Sequence, residues 1–164
     1  MRNEHLTQLH DLLRRGTESD LGKYYLTLVA GHWAETTTID APLKKITRSG
    51  EHMVEVIEDG QPAISHFEPL QHYPQATLMR VKIDTGRTHQ IRVHAAHAGH
   101  PVAGDEKYGD TAFNRELKKA GLKRLFLHAA RIEIPALESE SGEPIIIEAP
   151  LNNELQNVLN TLNT

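Results

Sequence analysis

The sequence TLMRVKIDTGRTHQIRVHAAHAGHP, residues 77–101, contains the signals for a strand, a turn and a helix in direct succession. At its start, apolar Met79, Val81 and Ile83 alternate with charged residues, which is the period of a strand with one buried face. Thr88 is a candidate N-cap for a helix that follows the turn. The stretch therefore predicts a half-buried strand that leads directly into a helix.

The predicted helix has a clear apolar side and a clear end. Residues with helical spacing form one stripe: Ile91, Ala95 and Ala98. Gly99 suits the position after the last turn, and Pro101 prevents the helix from continuing.

The turn between strand and helix, residues 85–92, reads TGRTHQIR and places two arginines beside the helix N-terminus. Arg92 falls in the first helical turn, where the macrodipole disfavours a cation by about 0.3–1 kcal/mol, and Arg87 lies just outside. This indicates an anion nearby. It is either a ligand, bound by both arginines and the backbone amides near Thr88 and His89, or carboxylates of the chain that pair with a surface helix.

Outward from this unit, the sequence alternates strand and turn signals. Apolar and β-branched runs predict further strands at residues 24–31, 53–57, 63–68, 125–134 and 144–149. Leucine-rich or capped segments predict further helices at residues 6–13, 113–120 and 151–162. Because hairpin turns outnumber crossover helices, we expect an α+β fold with a mixed, mostly antiparallel sheet and flanking helices.

Composition excludes several classes of protein. The 164 residues suffice for one domain, and the absence of cysteine excludes disulfides, thiol nucleophiles and cysteine-based zinc sites. No apolar run could span a bilayer and the N-terminus lacks a signal peptide, so we expect a soluble, cytoplasmic protein without membrane contact. The formal net charge is −4, yet residues 80–108 hold five basic and three acidic residues, which favours an anionic ligand at one place.

Three further features allow more than one interpretation. His94, His97 and His100 are spaced as metal ligands can be, but Gly99 interrupts the helix, and we expect hydrogen-bonded histidines and no metal. Tyr25 on a strand is either a packing residue or a stacking platform for a base. Asp105, bracketed by glycines, is expected to form a turn.

Four blocks of the sequence carry a resemblance to a known family: KYYLTLVAG (23–31), TGRTHQIRVH (85–94), GHPVAGDEKYG (99–109) and RLFLHA (124–129). In this order and across most of the chain, they are similar to the pseudouridine synthases of the RluA type, in the branch that modifies large-subunit ribosomal RNA. The second block matches the family pattern T-G-R-x-H-Q-[IL]-R-V-H without a gap. The resemblance implies part of a pseudouridine synthase catalytic domain.

The family isomerises uridine in RNA without a cofactor, so the resemblance implies a 23S ribosomal RNA partner and no metal. It implies that Tyr25 stacks on the uracil, that Arg92 pairs with an essential aspartate, and that Leu127 forms part of an apolar wall. The remaining motif residues would contact RNA or shape the site: Arg87, Thr88, His89 and Gln90.

One departure from the family bears on activity. The essential aspartate belongs to an H-R-L-D-x-x-[TS]-G motif, and residues 1–164 contain no such motif; Asp11, Asp20 and Asp40 do not match it. We expect residues 1–164 to be the C-terminal portion of a catalytic domain, without the motif segment and without an S4-like RNA-binding domain.

Two consequences are expected of such a truncated chain. It is inactive alone, because nothing replaces the reacting carboxylate. It is also marginally stable and self-associates through an exposed sheet edge. The alternative hypothesis is a non-catalytic RNA-binding remnant of the same fold.

Overall fold

A six-stranded antiparallel sheet organises the part of the chain that the computed structural model describes, residues 22–135 and 142–163. The strands are β1 (Gly22–Ala30), β2 (Thr37–Asp40), β3 (Leu43–Arg48), β4 (Glu51–Val56), β5 (Ile64–Tyr73), β6 (Ala76–Ile83), β7 (Leu127–Ile134) and β8 (Ile145–Glu148). The order in the large sheet is β2-β5-β6-β1-β7-β8, and β3 pairs with β4 in a separate two-stranded sheet. The helices are α1 (Gln90–His97), α2 (Thr111–Lys119) and α3 (Asn153–Leu162).

The predicted strand and helix of residues 77–101 are both present, as β6 and α1. The side chains of Met79, Val81 and Ile83 are buried, as their alternation predicted. β6 lies between β1 and β5, so both of its edges are hydrogen-bonded. Gly99 has a positive φ of 87° directly after the last helical residues, which confirms its predicted role in ending α1.

The two faces of the sheet carry separate apolar clusters because side chains alternate along each strand. The cluster under α2 and α3 includes Leu28, Phe126 and Leu155. The cluster under α1 includes Val29, Phe67, Met79, Val81, Ile91 and, at its margin, Tyr25. Tyr25 therefore lies on the α1 side of β1, one strand away from β6.

The fold class is the predicted one, an α+β fold with helices flanking an antiparallel sheet, but one helix cap was predicted wrongly and two strands were missed. The predicted strands 53–57 and 63–68 correspond to β4 and β5 but do not pair with each other, since β4 pairs with β3 and β5 pairs with β2 and β6. The short strands β2 and β3 were not predicted, because their mostly half-exposed pattern has little apolar alternation. The N-cap of α1 is His89 and not Thr88.

Two further predictions concern the N-terminal segment and helices that could cross a membrane. The predicted helix at residues 6–13 lies outside the described residues. Within residues 22–135 and 142–163, no helix is long and apolar enough to cross a membrane.

Strand β8 lies at one edge of the described sheet and exposes two isoleucines. Ile145 and Ile146 are 38% and 51% exposed, and a free strand edge with apolar side chains favours pairing with another chain. Self-association stays a prediction. Sedimentation velocity over a range of protein concentrations should show a growing dimer fraction, and Ile146→Lys should reduce it; a compact monomer at every concentration would contradict the prediction.

Gly104 offers a sharp test of backbone packing next to α2. Gly104 and Gly50 share a φ of 78°, but a Cβ on Gly104 would meet the carbonyl oxygen of Arg124, whereas nothing lies within 4 Å of the same position on Gly50. Gly50→Ala should cost about 1–2 kcal/mol from the left-handed backbone alone. Gly104→Ala should cost about 1–3 kcal/mol more, because the carbonyl must move. Urea unfolding of both variants measures the difference, and equal losses would show that the contact yields freely.

Candidate active site

A cavity of about 260 Å³ opens between β1, β7 and the start of α1. Arg92 lines this cavity. So do five of the other six residues that the resemblance assigned to the base or to RNA contacts: Tyr25, Arg87, His89, Gln90 and Leu127. Lys23, Ile83, Gly86, Ile91 and Leu125 complete the lining. We call this cavity the Tyr25 pocket. The remaining residue of that set, Thr88, lies outside the pocket and lines a neighbouring cavity with Lys44 and Lys45.

Tyr25 reaches the pocket from the middle of the sheet. It pairs with Val81 of β6 on one side and with Ala129 of β7 on the other, and the β1–β7 register shifts between Tyr24 and Tyr25. The extra residue is Ala130, so the irregularity bends β7 and re-aims the side chains of that strand beside Tyr25. Burial raises the pKa of the Tyr25 phenol to about 12, so its hydroxyl keeps its proton at neutral pH.

Leu127 forms the opposite part of the lining from β7. It is half-buried at the margin of the same apolar cluster as Tyr25, and its strand neighbour on β1 is Thr27. Thr27 is fully buried and its hydroxyl donates to the carbonyl of Phe126 at 2.7 Å. This bond fixes the start of β7, and with it the position of Leu127.

Arg92 makes a two-pronged ion pair with Asp105. Its Nε donates to Oδ2 and its Nη2 to Oδ1, both at 2.9 Å. The hydrogen bond to Asp105 raises the pKa of Arg92 despite partial burial, and the guanidinium also lies over the Tyr108 ring at 5.1 Å. The anion expected beside the helix N-terminus is thus, for Arg92, a carboxylate of the chain itself.

Asp105 lies in the predicted turn, and hydrogen bonds to its carboxylate fix it there. Its side chain is fully buried, and Oδ1 also accepts from the backbone N–H groups of Lys107 and Tyr108 at 3.0 Å each. Burial alone would raise the pKa of Asp105, but the Arg92 bond and the two backbone donors outweigh it and lower the pKa. A carboxylate so stabilised in its ionised form is a poor base and a poor nucleophile.

The guanidinium of Arg92 keeps donors for a second acceptor. A guanidinium has five N–H groups, and Asp105 uses one on Nε and one on Nη2. The Nη1 group is left, and the Arg92 side chain is 18% exposed while it lines the Tyr25 pocket. Arg92 can therefore bind another anion at the pocket without releasing Asp105.

A buried polar network fixes the loop that precedes α1. The Gln90 amide group donates to Ile64 O and Ser65 Oγ, and its Oε1 accepts from Thr85 Oγ1 and Arg87 N. Gln90 is 3% exposed and its side-chain polar groups are all engaged, so within this structure it shapes the site.

The network continues through His94, whose tautomer follows from its partners. Nε2 lies 2.9 Å from Ala41 O, which can only accept, so Nε2 carries the proton and Nδ1 accepts from Ser65 Oγ at 2.8 Å. Burial lowers the pKa of His94, and the neutral ring suits both bonds.

His89 is the N-cap of α1 and has a left-handed backbone, with φ 56° and ψ 20°. A non-glycine residue in this region is strained, and such strain is concentrated at functional sites. Tyr108 Oη accepts from Val54 N, so its own proton is available to His89 Nδ1 at 2.8 Å. Burial lowers the pKa of His89, as do the charges of Arg92 and Lys107, so the ring is neutral at neutral pH.

Arg87 lines both the Tyr25 pocket and the neighbouring cavity that contains Thr88. Its Nε donates to the carbonyl of Pro62 at 2.9 Å, and no ion pair engages it within the described ranges. This leaves the positive charge of Arg87 available to an anion at the boundary of the two cavities.

The described lining of the Tyr25 pocket contains no carboxylate, although three cationic side chains border it: Lys23, Arg87 and Arg92. Asp40 lies on β2 and is exposed, away from this lining. Among the described residues no group of three side chains is arranged to hold a metal ion. His94 is bonded as above, and His100 Nδ1 lies 2.7 Å from Ala30 O, an accepting carbonyl to which it donates.

Asp105 was not predicted to be the partner of Arg92. The two are thirteen positions apart, and only the tertiary fold brings the turn beneath α1. The available signal was the pattern Gly104-Asp105-x-Lys107-Tyr108, since an aspartate that caps the following backbone amides is fixed and can receive an arginine. Asn114 of α2 also fixes this turn, accepting from Gly104 N and donating to Asp105 O at 2.9 Å each, and neither Asn114 nor Ser65 carried a sequence signal.

Asp105→Asn should destabilise the fold by about 3–5 kcal/mol at neutral pH, because it leaves Arg92 without its buried partner. The folded pKa of Asp105 is below its unfolded value of about 3.9, so the stabilisation is present above pH 4 and is lost as the pH falls through the folded pKa. Urea unfolding at several pH values should therefore show the gap between wild type and variant shrinking in acid.

The matched control is Asp59→Asn, which removes the carboxylate of the exposed Lys44–Asp59 pair and should change stability by less than about 0.5 kcal/mol. A constant gap between wild type and Asp105→Asn from neutral pH down to about pH 2 would contradict the assigned ion pair.

Known proteins resemble this chain in sequence and in fold. The family model described as RNA pseudouridylate synthase matches residues 3–97. The chain is 47% identical over 156 residues to the ribosomal large subunit pseudouridine synthase C of Haemophilus ducreyi, covering 94% of this chain and 47% of the relative. It is 46% identical over 161 residues to the synthase of the same name from Salmonella typhimurium, covering 96% and 49%.

Solved structures share the fold. Human RNA pseudouridylate synthase domain containing 4 superposes with a TM-score of 0.68 at 23% identity, covering 96% of this chain and 67% of that one. Human RNA pseudouridylate synthase domain containing 1 gives a TM-score of 0.66 at 23% identity, covering 96% and 70%. The chain spans about half the length of the curated relatives it matches. On its sequence blocks and the family match, the chain belongs to the RNA pseudouridylate synthase family.

Proposed function

We propose that this chain forms one side of the uridine-binding pocket of an RNA pseudouridine synthase, with Tyr25, Arg92 and Leu127 around the target base. The observation that carries the proposal is the convergence of these three side chains, from β1, α1 and β7, on one cavity. Residues 1–164 would be the C-terminal portion of the catalytic domain, in keeping with the half-length match to relatives.

In this proposal the residues serve an isomerisation that needs no cofactor. The C1′–N1 bond of an extruded uridine breaks, a C1′–C5 bond forms, C5 loses its proton and N1 gains one. The Tyr25 ring would stack on the uracil and Leu127 would exclude water from the detached base. Because the Tyr25 phenol stays neutral, its hydroxyl is suited to donate a hydrogen bond to the base.

Arg92 would neutralise the reacting carboxylate with its Nη1 group, while Asp105 holds the other side of the guanidinium. That carboxylate has to come from outside the described lining, which contains none. Asp105 is unsuited to replace it because four hydrogen bonds stabilise its ionised form. The chain alone is therefore expected to lack turnover.

The RNA substrate would be large-subunit ribosomal RNA, as the names of the relatives indicate for those proteins. A second candidate is a non-catalytic RNA-binding remnant. The observation that favours it is the same cation-bordered pocket without a carboxylate, which could retain a nucleotide without reacting.

The first test is tritium release from RNA labelled at C5 of uridine. The isolated chain should release none above background, because a missing nucleophile or base cannot be compensated by binding residues. Turnover by the isolated chain, retained in Arg92→Ala, would show that another residue performs the chemistry and would contradict the proposed roles.

The decisive positive test is a chimera that joins this chain to the half of the Haemophilus ducreyi synthase that it does not cover. The chimera should release tritium, and Arg92→Ala should lower turnover per folded molecule by on the order of 10²–10³-fold or more, since a group facing the reacting charge is lost. Because Arg92→Ala also leaves buried Asp105 without its partner, the folded fraction of the variant is measured alongside. Tyr25→Ala should cost about 1–3 kcal/mol of RNA binding, whereas Tyr25→Phe retains the stacking ring. A folded but inactive chimera would favour the remnant.

A further inference from the structure

A second, larger cavity of about 990 Å³ adjoins the Tyr25 pocket. It is bordered by α2, by the turn after Gly104 and by the segment between α2 and β7. The two cavities share His89, Arg92 and Leu125 in their linings, so they lie side by side at these residues. Six cationic side chains line the larger one, which we call the basic cleft: Arg92, Lys107, Arg115, Lys118, Lys123 and Arg124.

Most of this positive charge is not compensated within the described chain. Arg92 is paired with Asp105, and Lys107 with Glu51 at 3.3 Å. The other four cations make no ion pair in residues 22–135 and 142–163, and the acidic side chain that faces them is Glu106, which is likewise unpaired there. A concentration of four free cations against one free anion stands out in a chain whose net charge is −4.

The cations of α2 are held on a rigid support. Asp110 caps the helix by accepting from Phe113 N at 2.9 Å, and Phe113 and Leu117 anchor its inner face in the core. Arg115 and Lys118 are three positions apart, which places them on the same side of the helix. Arg124 donates from Nε to Leu125 O at 3.2 Å, which holds its charge at the junction of the cleft and the pocket.

We propose that the basic cleft binds the phosphodiester backbone of the RNA next to the nucleotide that enters the Tyr25 pocket. This inference rests on the proposed function and names the path that the RNA follows. An extruded nucleotide remains joined to its neighbours, so its flanking phosphates must lie at the mouth of the pocket, beside Arg92, which lines both cavities. Clustered lysine and arginine side chains supply most of the affinity for such a backbone.

An acidic protein surface is the competing occupant, and the lining of the cleft disfavours it. Protein interfaces depend on apolar and aromatic anchors at their centre. The apolar side chains of the cleft are Leu122, which is 2% exposed, and Leu125, which is half-buried. The residues that line the cleft are mostly polar or charged, as those of RNA-backbone sites are.

The test is the salt dependence of binding to a fluorescent single-stranded RNA that contains uridine, measured with the whole chain by anisotropy. Arg115→Gln combined with Lys118→Gln should lower the slope of log affinity against log salt by about 1.4, because two phosphate contacts are lost at about 0.7 each. The affinity at low salt should fall several-fold. Glu106→Gln should strengthen binding, since it removes the free anion that opposes the cations.

The matched control is Lys119→Gln combined with Lys82→Gln. Lys119 adjoins Lys118 on α2 but pairs with Glu116 and does not line the cleft, and Lys82 is an exposed residue of β6. This pair removes the same charge and should leave the slope unchanged. Equal slopes for the cleft and control variants, or no salt-dependent RNA binding by wild type, would overturn the proposal.

Two further measurements separate this proposal from the proposed function. Tyr25→Ala should weaken binding without changing the salt slope, because stacking involves no phosphate. If the slopes behave as expected while the chimera stays inactive, the cleft assignment stands and the catalytic one falls. Polyglutamate is the second probe: competition as strong as that of unlabelled RNA would identify an acidic protein partner and overturn the proposal.

Discussion

The ion pair between Arg92 and Asp105 is the interaction on which the rest of the site depends. It joins the first turn of α1 to the turn before α2 through two hydrogen bonds of 2.9 Å. The charge of a guanidinium near a helix N-terminus is unfavourable by itself, and a buried carboxylate without a partner is more so. Together they become a fixed pair at the place where the Tyr25 pocket and the basic cleft share their lining.

A second constraint is a buried hydrogen-bond network next to α1, in which each polar side chain is bonded to the next. Gln90 connects the Thr85 hydroxyl to Ser65, and Ser65 connects it to His94. Each member is engaged on both sides, so a change at one leaves a buried group unpaired. The ion pair and this network together fix both ends of the loop that contains Arg87 and His89.

The sequence predicted those parts of the site that lie within continuous segments. The alternation of Met79, Val81 and Ile83 and the glycine stop at Gly99 gave β6 and α1, because periodicity and turn chemistry are local properties. Asp105 as the partner of Arg92 was missed, since a contact between separate segments leaves no periodic trace. The pairing of β4 with β3 was missed because β3 is short and mostly exposed. Its sequence therefore lacks the apolar alternation that fixes the register of a hairpin.

The shift in register between Tyr24 and Tyr25 has a consequence for insertions and deletions in this part of the sheet. Tyr24 lies opposite Arg131 and Tyr25 lies opposite Ala129, so the extra residue is Ala130 and it belongs to β7. β1 pairs with β6 without any such shift from Lys23 to Ala30. One residue more or fewer in β1 would therefore break its register with β6 and turn the Tyr25 ring to the opposite face of the sheet. The continuous pairing with β6 thus sets the direction of the ring, while the additional residue of β7 decides which of that strand's side chains stand beside it.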